Sequence, residues 1–159
     1  MNLDKWNAKS GVASYELFDE TGKICADKTL MVGRFISISL PAAGKADWIE
    51  IIEIYEAADE FIIAVQPSYN PTETPLDKTV KSHFLDKQAQ NNFCLQRNET
   101  AVACYVIGLD EKQNTENTKN LLETIRNAAT ANFGYYLGIQ KSLWKTFCKN
   151  MFENEKEKI

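Results

Sequence analysis

The sequence predicts an α+β protein: a small, strongly curved antiparallel β-sheet or barrel over residues 12–108, followed by two C-terminal helices within 117–152. Three observations predict it. Residues 34–40, "RFISISL", alternate Ile36, Ile38 and Leu40 with Ser37 and Ser39; period-two alternation marks a half-buried strand. Two isoleucine-rich runs flank a polar tip in 47–67, "DWIEIIEIYEAADEFIIAVQP", the pattern of a hairpin. After residue 117 the apolar spacing changes to that of a helix. Strands first and helices afterwards argue for α+β rather than an alternating α/β sheet. The strand count suits SH3-like and OB-like barrels equally. A length of 159 residues fits one domain, 1–159.

Each element follows from local chemistry. "VASYELF" (12–18) is a strand, "DETG" a turn and "KICA" its return. Gly33 opens the 34–40 strand and Pro41 closes it. In the 47–56 run, Ile49, Ile51, Ile52 and Ile54 change face midway, which implies a bulge or a strand covered on both sides. "SYNPTETPLDK" (68–78), with two prolines, is a long loop. Residues 79–90 suit a short strand or a helical turn equally. "NFCLQRNETAVACYVIG" (92–108) is a second clear hairpin, turning at Asn98–Thr100. Asn98-Glu99-Thr100 matches a glycosylation sequon and is read as that turn.

From Asn117 to Leu137, Leu121, Leu122, Ile125, Ala128, Ala129, Phe133, Tyr136 and Leu137 recur at helical spacing. Gly134 and Gly138 in this stretch are read as a close-packing position and a C-terminal cap. In the last helix Trp144, Phe147, Cys148 and Met151 share one face. Lys141, Lys145 and Lys149 follow every fourth position and are read as its water-facing side.

Composition narrows the function classes. The chain is 44% hydrophobic and 25% charged, with a net charge of −4. That balance makes nucleic acid an unfavoured partner, since such binding needs a basic face. No apolar run approaches the roughly 20 residues of a spanning helix; "AVACYVIGL" (101–109) is short. The first twenty residues hold no apolar leader core, and Cys25, Cys94, Cys104 and Cys148 are scattered. The expectation is a cytoplasmic protein with reduced thiols. Abundant asparagine, lysine and isoleucine point to an AT-rich bacterial genome.

Catalytic chemistry has little to build on. His83 is the only histidine, so a zinc site resting on two histidines is excluded and cysteines at finger spacing are missing. Glu50, Glu53 and Glu56 recur every three residues, which on a strand scatters them between faces. No glycine-rich phosphate loop or nucleophile elbow occurs. No catalytic residue, metal ligand or cofactor is therefore assigned. The reading is a non-catalytic protein-binding module, such as an adaptor or an inhibitor of immunity type, whose partner is another protein. Its contact residues are Tyr69 and Asn70 in the long loop, with His83 and Arg97. The alternative is a small-molecule-binding barrel or small enzyme whose pocket, between sheet and helices, is lined by Trp48, Phe61, Phe93 and Tyr105.

Overall fold

The computed structural model describes residues 3–7, 13–40, 45–74, 78, 88–110, 142, 144–149 and 151. They form six strands: β1 (Ser14–Phe18), β2 (Phe35–Ser39), β3 (Asp47–Glu56), β4 (Glu60–Pro67), β5 (Gln90–Arg97) and β6 (Val102–Leu109). Every strand pairs antiparallel with the next, in the order β1-β2-β3-β4-β5-β6. A 3-10 turn at Leu3–Lys5 precedes the sheet. A short helix, α1, follows it, with 142, 144–149 and 151 as its described residues.

This corrects the expected architecture. The sheet is open and is not a barrel, because β1 and β6 are its two edges and do not pair. One short helix accompanies it among the described residues, instead of two. The helical pattern over 117–137, with Gly134 and Gly138, lies outside the described residues, as does most of 79–90. The face change in β3 has the simpler of its two causes. Pairing to β4 shifts between Ile51 and Glu53, so one bulged residue, Ile52, moves Ile54 back to the face that carries Ile49 and Ile51.

The register sorts the side chains onto two faces. The inner face carries Tyr15 and Leu17, Ile36 and Ile38, Ile49 and Ile51, Ile63 and Val65, and Phe93. Leu3 and Trp6 from the N-terminal turn and Phe147 from α1 complete this core. Trp6 lies edge-on to Tyr15 and Phe147, with ring centroids 5.6 and 4.8 Å apart, and is tilted against Phe93 at 4.9 Å. Phe93 also meets Trp144 and Phe147 at 4.9 Å. Lys145 and Lys149 are exposed, as expected for the water-facing side of α1. A smaller cluster on the opposite, outer face joins Phe18, Phe35, Trp48 and Tyr69.

The edge at β1 is covered. The Asn7 amide donates to the Tyr15 carbonyl at 2.7 Å, and its oxygen accepts from the Tyr15 N–H at 2.8 Å. One side chain thus supplies the two hydrogen bonds a neighbouring strand would give. The returning chain adds Cys25 N–H to the Leu17 carbonyl at 2.8 Å and a bridge between Phe18 and Ile24. The turn between them needs Gly22. Its φ is +77°, and a Cβ there would lie 2.5 Å from the Pro71 carbonyl oxygen, so the start of the 68–78 loop packs directly on this glycine.

Burial pushes the Tyr15 hydroxyl up to about 12 from its ordinary value of 10.0. The folded state therefore favours neutral Tyr15. That stability is complete below pH 10 and is lost as pH rises through about 12. Melting temperature should fall across this window in the parent. Tyr15→Phe keeps the ring and removes the titration, so its melting curves should show a shallower alkaline decline. Identical pH profiles for the two proteins would refute this.

Candidate functional site

The residues expected to form a contact site do not converge. Tyr69 is buried against Phe35, with centroids 5.2 Å apart, and the Lys78 ammonium stands 5.8 Å from its ring. Its ring serves the outer cluster more than a partner. The Asn70 oxygen accepts from the Thr72 N–H at 2.9 Å and the Thr72 hydroxyl at 2.8 Å, a local turn. Arg97 pairs with Asp59 at 3.0 Å and donates to the Ala58 carbonyl at 3.0 Å, tying β5 to the β3–β4 tip. Tyr69 and Arg97 thus stand beyond opposite ends of β4. His83 lies outside the described residues.

The four aromatics of the alternative pocket are also separated. Phe61 and Phe93 face inward, whereas Trp48 and Tyr105 belong to the outer face. A sheet stands between the two pairs, so they do not line one cavity. Among the described residues no group of three or more His, Cys, Asp or Glu is gathered as for a metal ion. No helix among them is long and apolar enough to cross a membrane.

A different surface emerges at the other edge. In β6, Val106 pairs with Phe93 and faces the core, so Tyr105, Ile107 and Leu109 point outward. Tyr105 is 37% exposed, Ile107 46% and Leu109 47%. Successive registers continue this surface in a row of opposed residues, Tyr55–Ile62–Cys94–Tyr105, across β3, β4, β5 and β6. Tyr55, at 48%, is the far end of the row. Ile62 is half-buried and Cys94 buried within it.

The neighbouring rows are mixed, polar toward β3 and β4 and apolar at β6. Glu53, Ala64, Asn92 and Ile107 form one, and Glu60, Gln96 and Ala103 another. The Tyr105 hydroxyl is held above its ordinary range by desolvation and by the proximity of Cys94 and Glu60, so it stays a neutral donor. The result is an apolar strip with Glu53 and Glu60 at its inner end, ending on an edge strand. Among the described residues β6 pairs only with β5. A contiguous apolar patch with a polar rim is a recurrent mark of an interaction surface.

Sequence reasoning missed this surface, although its signal is in the chain. "AVACYVIGL" is apolar at both parities. In a central strand that means burial on both sides; in an edge strand it leaves one apolar face outward. Comparison of the chain with protein-family models, with curated proteins and with solved structures finds no match.

Proposed function

We propose that this chain is a non-catalytic protein-binding module, cytoplasmic and bacterial, that takes up an extended segment of another polypeptide along β6. The guest strand adds to the sheet edge by main-chain hydrogen bonds, and its alternate side chains lie on Tyr105, Ile107 and Leu109. An adaptor and an inhibitor of immunity type both use such a contact. One observation carries the reading: the two edges are treated differently. Asn7 and the 23–25 return cover β1, while among the described residues β6 pairs only with β5 and presents eight residues with an apolar outward side. An edge strand of that kind attracts other strands unless it is protected. The net charge of −4 favours a guest with basic residues flanking its apolar positions. The net negative balance keeps nucleic acid an unfavoured partner, and the four free thiols suit a reducing compartment.

A displayed library of random ten-residue peptides, selected on the immobilised full-length chain, tests this. Enriched peptides should alternate apolar residues and carry Lys or Arg at their flanks. Ile107→Asp, at an exposed position, should weaken their binding at least tenfold and leave the melting temperature nearly unchanged. Enriched peptides that bind Ile107→Asp as well as the parent, or no enrichment above a bare surface, would overturn the assignment.

A further inference from the structure

β6 has the properties that let an edge strand pair with its own copy. Its ladder to β5 runs without a bulge, from Gln90 opposite Leu109 to Arg97 opposite Val102. Val102–Leu109 contains no charged residue and no proline, so the usual protections of an edge are missing. Its outward side is apolar and exposed at Tyr105, Ile107 and Leu109. Two antiparallel copies of one strand are related by a two-fold axis. With the axis perpendicular to the sheet, the outward side of each copy stays on one face, so opposed residues share parity. Two central registers satisfy this. An axis at Val106 sets Asp110 against Val102 of the second copy. An axis at Tyr105 opposes Ala101–Leu109 to the same stretch of the second copy, uncharged throughout. Asp110, whose φ of +47° ends the strand, then lies beyond the ladder.

We propose that two copies of this chain pair weakly, β6 to β6, about a two-fold axis at Tyr105, and so close the edge until a guest strand displaces the second copy. This rests on the strand-adding edge assigned above. Tyr105 faces the partner's Tyr105, and Ala103 faces the partner's Ile107 on either side of the axis. The row Tyr55–Ile62–Cys94–Tyr105 then runs on through the partner in reverse order, from Tyr105 to Tyr55. Apolar and aromatic residues set opposite one another stabilise such a junction, and no like charges meet in it. Eight residues a side is well short of the roughly 20–30 a side of a standard interface. The dimer is therefore weak; it dissociates on dilution and leaves the edge free for a guest.

Sedimentation of the full-length chain, from about 5 to about 500 μM, tests this. The parent should move from monomer toward twice the monomer mass as concentration rises. Ala103→Lys and Ile107→Asp, both at exposed positions, should each weaken self-association at least about tenfold. An equimolar mixture of the two variants should recover it. The introduced lysine and aspartate then face each other across one Ala103–Ile107 contact, and the other contact is unchanged. A saturating amount of a selected peptide should return the parent dimer to monomer. Variants that self-associate like the parent, a mixture that stays monomeric, or a parent dimer undiminished by bound peptide would each overturn the proposal. A parent that is monomeric throughout yet binds the selected peptides overturns self-pairing and leaves the guest strand standing. A dimer recovered in the mixture, with no peptide enriched, supports self-pairing and overturns the guest strand instead.

Discussion

Trp6→Ala should lower stability by about 3–5 kcal/mol, the usual loss when a buried large aromatic is truncated. For a chain of this size that corresponds to a drop in melting temperature of roughly 6–20 °C. Trp6 is only 1% exposed and touches rings from three separate parts of the chain: Tyr15 in β1, Phe93 in β5 and Phe147 in α1. Its removal opens a cavity where these elements meet, and it frees an N-terminal turn whose Leu3 N–H is tied to the Lys28 carbonyl at 2.8 Å. Trp6→Phe should lose much less. The indole Nε1 is buried without a hydrogen-bond partner, so the phenyl ring keeps much of the packing and removes an unsatisfied donor. Denaturant melts of the two variants decide the matter; equal losses would contradict a packing role.

Phe147→Ala should cost a similar amount, about 3–5 kcal/mol. It is the residue through which α1 enters the core, 4% exposed, with Trp6 at 4.8 Å and Phe93 at 4.9 Å. Trp144→Ala should cost less, because Trp144 is half-buried and meets Phe93 along one edge. The double variant Trp6→Ala/Phe147→Ala should lose less than the sum of its parts. The two rings touch and share Phe93, so the second truncation removes contacts already lost. Strict additivity would mean that α1 and the N-terminal turn pack independently. A Phe147→Ala melt overlaying the parent would mean that α1 is no part of this core, and would revive it as a basic amphipathic helix that binds elsewhere.

How much of this was legible in the sequence depends on the range of the interaction responsible. Period-two alternation and turn chemistry are local. The 34–40 strand, the 47–67 hairpin and the turn at Asn98–Thr100 are therefore plain in the chain, and the structure forms them at those places. The face change among Ile49, Ile51, Ile52 and Ile54 was readable too, but as either a bulge or a strand covered on both sides, and the register shift to β4 makes it a bulge. Closure is not local. Whether β1 meets β6 depends on what covers each edge, and part of the cover on β1 comes from an asparagine side chain, Asn7, outside any periodic segment. Trp6 was invisible for the same reason: "MNLDKWNAKS" has no repeat to say that its tryptophan is central.

The candidate site divides in the same way. Tyr69 has the composition of a contact residue, yet in its proline-containing loop it finds Phe35 close by and buries its ring there. Arg97 finds Asp59 and the Ala58 carbonyl at the adjoining tip. Tyr105, Ile107 and Leu109 carry the opposite lesson. Their apolar character suggests burial, and only their place on the last strand of the ladder turns them outward.

Amide hydrogen exchange of the full-length chain, with and without the tightest peptide from the selection, tests the docking edge most directly. In the free protein, the Tyr15 amide should be protected by Asn7, and alternate β6 amides, those pointing away from β5, should exchange rapidly. Bound peptide should slow those β6 amides at least tenfold and leave Tyr15 unchanged. Protection appearing elsewhere on the sheet, with β6 unaffected by the peptide, would contradict strand addition at this edge.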